Sequence, residues 1–331
     1  MVGIKEIDIT SLGEVLVDMF PAEIGRGLTE VSSFRPVPGG APANVAVAGS
    51  CLGLRTAFIG KVGDDAFGHY LTSILKENNV DVRGVCYDKD ARTGMAFIAM
   101  PDVNNYEILF YRNPGADMLL KTEELDVNLL KATKSLHFGS LSLAQEPSSG
   151  ATMEAVRVAK KAGSLISFDV NYRPGLWESP HDARQRIMPA ISRVHILKIN
   201  EMELNLLTHD TVENMERACR VLLDKGPKLV AVTLGPGGCY LYNPEGGVRI
   251  PGFEVKTVDA TGSGDAFIAG LLSRLITVDI RSGRLTLNDL KRFGRYANAV
   301  GALATQIKGV IPALPSREQV NDFLKKQSVV F

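Results

Sequence analysis

The sequence is short of net charge, of cysteine and of long apolar runs. Its 37 Lys and Arg are matched by 37 Asp and Glu among 331 residues. No overall field exists to draw in nucleic acid or a membrane surface, so neither is an expected partner. There are four cysteines: Cys51, Cys86, Cys219 and Cys239. None forms a C-x-x-C pair or has a His beside it at metal-ligand spacing. They read as reduced thiols in a reducing compartment. No apolar stretch is long enough to span a bilayer. Met1-Val2-Gly3-Ile4-Lys5-Glu6 has no basic region followed by an apolar run, so no secretory signal is expected and a cytoplasmic location is. No internal repeat or low-complexity segment stands out.

What is present is an ordinary globular composition, 45% hydrophobic and 22% charged. The length suits one large α/β domain or two smaller ones. Strands are expected at Ile7–Leu12, Val15–Met19 and Thr56–Gly60, with helices from Ala43 and over Gly68–Asn78. Met95–Met100 and Ile108–Tyr111 flank the turn-rich run 101–105 and predict an antiparallel hairpin. Further on, strands are expected at Ser135–Phe138, Leu165–Asp169, His195–Ile199, Leu229–Leu234 and Gly238–Tyr242. Helices over Ser148–Ala162, Met202–Leu207 and Met215–Lys225 separate most of them. That alternation predicts an α/β fold with a mostly parallel sheet and helices on both faces. The early extended segments have no place in such a sheet. They predict a small β-lid, inserted from about 14–38 and 93–117 into a single domain spanning 1–331.

The chemistry concentrates near the C-terminus. Val255–Val258 reads as extended, followed by Asp259-Ala260-Thr261-Gly262-Ser263-Gly264-Asp265 and an apolar helix from Ala266 to Leu275. A glycine-rich turn that opens a helix offers unpaired N–H groups and about half a positive charge. It is an anion site, and its glycines let a phosphate approach the backbone closely. Alternatively, Ser263 or Asp265 simply caps the helix. A carboxylate beside an anion site is awkward unless it accepts a proton, as a general base does. Two familiar phosphate motifs are missing. Phe267 stands where the dinucleotide fingerprint needs Gly or Ala, and Arg55 stands where a Walker A run ending in Gly60-Lys61 needs its first Gly.

The glycine run resembles the C-terminal signature of the ribokinase-like (phosphofructokinase-B) carbohydrate kinases, with Ala260 in place of Thr and Ser263 in place of Ala. Gly39-Gly40-Ala41-Pro42-Ala43-Asn44 and the run Phe58–Gly68 are similar to the N-terminal signature of that family. Phe110–Leu120 and Asp169–Trp177 are similar to segments of its fructokinases, with Gly115 for a usual Ser and Val170 for a frequent Pro. The resemblance implies ATP-dependent phosphorylation of a sugar primary hydroxyl; the runs Phe110–Asp117 and Asn171–Trp177 favour D-fructose as acceptor, giving fructose 6-phosphate, with 2-keto-3-deoxygluconate, ribose or a nucleoside as the alternative. A non-catalytic sugar-binding regulator on the same scaffold is a third reading.

By that resemblance Asp265 is the base, and the backbone of Gly262, Ser263 and Gly264 holds the transferring group. Asp18, Gly39, Gly40, Asn44, Arg112 and Arg173 are implied to bind the sugar. Residue chemistry alone leaves Asp18 equally a solvated turn acid, Asn44 a helix cap and Arg173 a salt-bridge partner. Asn200, Glu203, Thr233, Gly235, Gly238 and Asn298 are implied to serve ATP and its Mg²⁺. Helix-dipole pairing explains the acids near Asn200 as well, and core packing explains Asn298. Asp259 and Thr261 are implied on one side of a K⁺ site. The lid of the family also implies a possible homodimer.

Overall fold

The computed structural model describes residues 5–23, 25–102, 105–280 and 285–328. Met1–Ile4 of the N-terminal run, and Val103 and Asn104 of the expected turn, lie outside them. The strands are β1 (Ile7–Leu12), β2 (Leu16–Pro21), β3 (Phe34–Gly39), β4 (Thr56–Gly63), β5 (Val80–Asp88), β6 (Met95–Asp102), β7 (Asn105–Tyr111), β8 (Thr133–Gly139), β9 (Leu165–Asp169), β10 (Ile196–Asn200), β11 (Leu229–Thr233), β12 (Cys239–Asn243) and β13 (Gly246–Ile250). The helices are α1 (Ala41–Cys51), α2 (Ala66–Glu77), α3 (Val127–Lys131), α4 (Ser148–Lys161), α5 (Pro180–Ile191), α6 (Glu201–Thr208), α7 (Met215–Leu223), α8 (Ser263–Leu275), α9 (Leu287–Leu303), α10 (Val310–Ala313) and α11 (Arg317–Ser328).

Nine strands form the large sheet in the order β13-β12-β11-β10-β9-β8-β1-β4-β5. From β11 to β5 every neighbouring pair is parallel, and β12 and β13 add an antiparallel edge. Alternate residues of its strands serve opposite faces, as the pleat requires. On β10, Ile196 joins the core formed with α1, α2, α8 and α9, while Leu197 and Ile199 join the core formed with α4 to α7. The expected mostly parallel α/β sheet, covered on both faces, is therefore observed.

The early segments form a separate four-stranded sheet in the order β3-β2-β6-β7. Hairpins β2–β3 and β6–β7 are antiparallel, and the two are joined by parallel pairing of Val17–Met19 with Met95–Phe97. Val255–Val258 joins neither sheet; the Val258 N–H donates to the Thr305 carbonyl at 2.7 Å, which ties the segment to the end of α9.

Candidate active site

Helices α1 and α8 bring their N-termini together beneath the small sheet. Neither has a side-chain cap. The N-cap of α8 is Gly262 at φ 76°, a left-handed conformation that glycine adopts without strain. The N-cap of α1 is Gly40 at φ 107°, and a Cβ there would lie 2.5 Å from the Glu14 carbonyl oxygen. A Cβ on Gly39 would collide with the Asp18 carboxylate. Gly39 and Gly40 thus let the start of α1 lie against Glu14 and Asp18, and Gly262 lets the start of α8 lie against Val310.

The alternative in which Asp265 or Ser263 caps α8 is not what the structure contains. Asp265 sits in the first helical turn, and its Oδ2 accepts from Asn44 Nδ2 at 2.8 Å. The N–H groups of Gly262, Gly264 and Asp265 have no acceptor among the described hydrogen bonds, whereas the Ser263 N–H donates to the Ala260 carbonyl at 3.2 Å. The free N–H groups of the turn are thus those of 262, 264 and 265, while the Ser263 amide is engaged. Burial pushes the Asp265 carboxyl up to about 6, and nearby Asp169 pushes the same way; the Asn44 bond, Lys198 and Arg173 oppose them.

Two cavities meet at this turn. One, of about 840 Å³, lies between the sheets, lined by Asp18 and Phe110 of the small sheet and by Lys198, Asn200 and Asp265 from the body. Gly40, Asn44 and Arg173 also line it. The other, of about 700 Å³, is lined by Gly235–Gly238, Phe253, Phe267 and Asn298. Thr233, Gly235, Ala260, Ser263 and Gly264 belong to both walls. The strands β9, β10 and β11 all deliver their C-terminal ends here, the usual position of ligand sites in open α/β sheets.

Burial pushes the Asp18 carboxyl up to about 7, with Arg173 opposing and Asp265 reinforcing the shift. Asn298 Nδ2 donates to the carbonyls of Ile250 and Pro251 at 3.2 and 3.0 Å. Asn200 caps α6, its Oδ1 accepting from the Glu203 N–H at 2.9 Å. Glu203 lines neither cavity: its carboxylate accepts from the N–H groups of Asn200 and Tyr172, each at 2.8 Å. Arg112 is also absent from the walls. It forms a buried ion pair with Asp117. Asp259 is tied to backbone, its two oxygens accepting from the N–H groups of Thr261 at 2.9 Å and Gly309 at 3.0 Å. Thr261 lines the larger cavity.

The sequence reading missed a buried polar cluster beneath the turn. Lys198 of β10 and Asp169 of β9 are register partners, with Nζ 2.9 Å from Oδ2. Burial opposes the Lys198 charge, but Asp169, Glu203 and Asp265 outweigh it and raise its pKa. Behind them lies His137, pushed down to about 4, chiefly by burial. A lysine near the end of a strand otherwise fully buried, Ile196–Ile199, was the available signal. Glu14 was missed too. Buried and lining the larger cavity, it is pushed up to about 7 by burial, while Arg112 opposes the shift.

A large, mostly parallel sheet crossed by a small second sheet, with a glycine turn and a buried carboxylate between them, defines a ribokinase-like phosphotransferase architecture. The comparisons give the family. The profile of the pfkB family carbohydrate kinases matches residues 6–317, and the chain belongs to that family. It is 45% identical to a probable fructokinase-2 of Arabidopsis thaliana, over 96% of this chain and 96% of the relative. It superposes on a fructokinase from Xylella fastidiosa with bound ATP at a TM-score of 0.88, with 30% identity, covering 97% of this chain and 99% of the other. A fructokinase from Vibrio cholerae, in a form with fructose, ADP and calcium bound, gives a TM-score of 0.84 at 32% identity, covering 96% and 99%.

Proposed function

We propose that this protein transfers the γ-phosphoryl group of ATP to the primary hydroxyl of D-fructose, giving fructose 6-phosphate and ADP. The observation that carries this is the position of Asp265: a buried carboxylate at the junction of two cavities, beside a helix N-terminus with free N–H groups. Likeness to fructokinases over nearly the whole chain supports fructose over other sugars.

In this reading the smaller cavity takes the nucleotide. The glycine loop of Gly235 and Gly238 admits it without Cβ atoms in the way, Asn298 lies toward the base, and Thr233 and Asn200 flank the phosphates. Mg²⁺ would be held mainly by phosphate oxygens and water, with Glu203 fixing Asn200 from behind, and would neutralise phosphate charge. The sugar occupies the larger cavity against Asp18, Gly39, Gly40, Asn44 and Arg173. Asp265 takes the proton from the sugar hydroxyl as that oxygen attacks the γ-phosphorus. The bond to the bridging oxygen breaks and ADP leaves. The N–H groups of Gly262, Gly264 and Asp265 meet the charge on the transferring group. A near-neutral pKa suits Asp265 to this step, since the carboxylate is available at physiological pH yet still accepts a proton.

We further infer a K⁺ site beside the turn. The oxygens around Asp259 and Thr261 suit a hard cation, whose charge would steady the turn that carries the free N–H groups. The small sheet acts as a lid on a single domain covering 1–331. Its exposed Leu109 and Tyr111 favour a homodimer through the lid. No described helix is long and apolar enough to cross a membrane, in keeping with a cytoplasmic enzyme. A panel of sugars with coupled detection of ADP tests the substrate. The expected result is fructose-dependent ADP release that exceeds release with ribose or 2-keto-3-deoxygluconate. Sugar binding with no ADP release for any sugar would favour a non-catalytic regulator.

A further inference from the structure

Among the described residues two lysines, Lys61 and Lys198, are buried, and they differ in one respect. Lys61 Nζ has three acceptors: Asp88 at 2.9 Å, Glu124 at 2.8 Å and the Leu119 carbonyl at 3.3 Å. Its three N–H donors are all engaged, as in a structural staple. Lys198 Nζ has only the two oxygens of Asp169, at 2.9 and 3.0 Å, and no other hydrogen-bond partner among the described residues. Yet Lys198 is only 5% exposed and lines the larger cavity. A Cβ built on Gly264 would stand 3.1 Å from Nζ. The ammonium therefore abuts the α8 turn at Gly264, one of the residues whose N–H is free.

A buried cation with an unengaged donor, beside amides that await an anion, is suited to a charge that develops only during reaction. In phosphoryl transfer that charge spreads over the three equatorial oxygens of the moving group. We infer that Lys198 is a further catalytic residue, its ammonium meeting the transferring phosphoryl group beside Gly264, and that Asp169 is the positioning residue that aims it. The lysine stays protonated throughout and no bond to it forms or breaks. A cross-strand ion pair with only a structural role would not need to open onto the cavity, and buried pairs are weak stabilisers in their own right.

This assignment rests on the kinase activity proposed above, so wild-type turnover of fructose with ATP is measured first. Failure of the wild type with every sugar defeats that activity; a working wild type isolates the role of Lys198. Lys198→Gln is expected to lower kcat by about 10²–10³-fold, the scale of one lost charge-stabilising donor. Its affinity for ADP alone should change little. ADP, fructose and aluminium fluoride together mimic the transferring group, and the extra affinity that aluminium fluoride confers on ADP should be lost. Lys198→Arg should retain more activity than Lys198→Gln. Asp169→Asn should move the acidic limb of kcat/KM to lower pH, because it removes a carboxylate that raises the Asp265 pKa while Lys198 and Arg173, which lower it, remain, with burial and Asp18 still opposing them. Lys198→Gln should move that limb to higher pH. Turnover of Lys198→Gln close to wild type, or an intact aluminium fluoride effect, overturns the assignment. Should Lys198→Gln fail to fold, Asp169→Asn decides: full kcat with an unmoved limb refutes it, and a displaced limb with reduced kcat supports it.

Discussion

Replacing Asp265 by Asn should make this protein more stable while disabling it. The Asp265 carboxyl, which ionises near its ordinary value of 3.8 in the unfolded chain, is pushed up to about 6 when folded, chiefly by burial. The folded state thus holds the proton more tightly than the unfolded chain does. The stability this confers is fully present below pH 3.8 and is lost as pH rises through about 6. At pH 8 the folded protein therefore carries a buried carboxylate at a cost of about 3 kcal/mol. Asn keeps the shape and can still accept from Asn44, without the charge that faces Asp18 and Asp169. For a chain of 331 residues, relief of that size raises the melting midpoint by about 4 °C. The advantage should shrink to about half by pH 5 and vanish below the ordinary carboxyl value of 3.8. Thermal melts of the ligand-free proteins at pH 5 and pH 8 measure it. Steady-state kinetics on the same samples should show kcat lower by about 10²-fold or more. Near-normal turnover of Asp265→Asn refutes the base. A midpoint no higher than wild type at pH 8, or an advantage that ignores pH, refutes the account of its environment.

Arg112→Ala should act on stability rather than on sugar affinity. It leaves Asp117 buried without its partner, a loss of about 3–5 kcal/mol in chemical denaturation; a stable variant with a raised KM for fructose would instead mean direct sugar contact. Replacing K⁺ by a bulky organic cation at constant ionic strength should lower kcat, and unchanged turnover would remove the cation from the proposed site.

The large sheet was legible because strand–helix alternation leaves a plain trace. Strands β1 and β9 have the limits that the sequence suggests. Strand β3 was hidden by Pro36 and Pro38, residues that sheets tolerate at an edge, which is where β3 lies. Strand β5 carries Gly84 at its centre, where a Cβ would lie 2.7 Å from the Ile59 side chain, and its pairing with β4 is irregular between Ala57 and Ile59. Contiguous motifs were legible as motifs, and the two glycine runs meet, with Asn44 bonded to Asp265. What escaped was long-range pairing. That Lys198 pairs with Asp169 and faces Gly264 depends on how chain crossings stack in space, and no local spacing records it.

The small sheet has a consequence for how this architecture can change. Its inner strands, β2 and β6, come from separate excursions of the chain, and their pairing holds the two hairpins together. Excising either hairpin would strip one long side of the other, leaving a row of unmatched N–H and C=O groups open to any passing strand. The sheet is not a cassette that can be lifted out at one pair of cut sites. Shortening it step by step would pass through sticky intermediates, so it should be kept whole or lost whole.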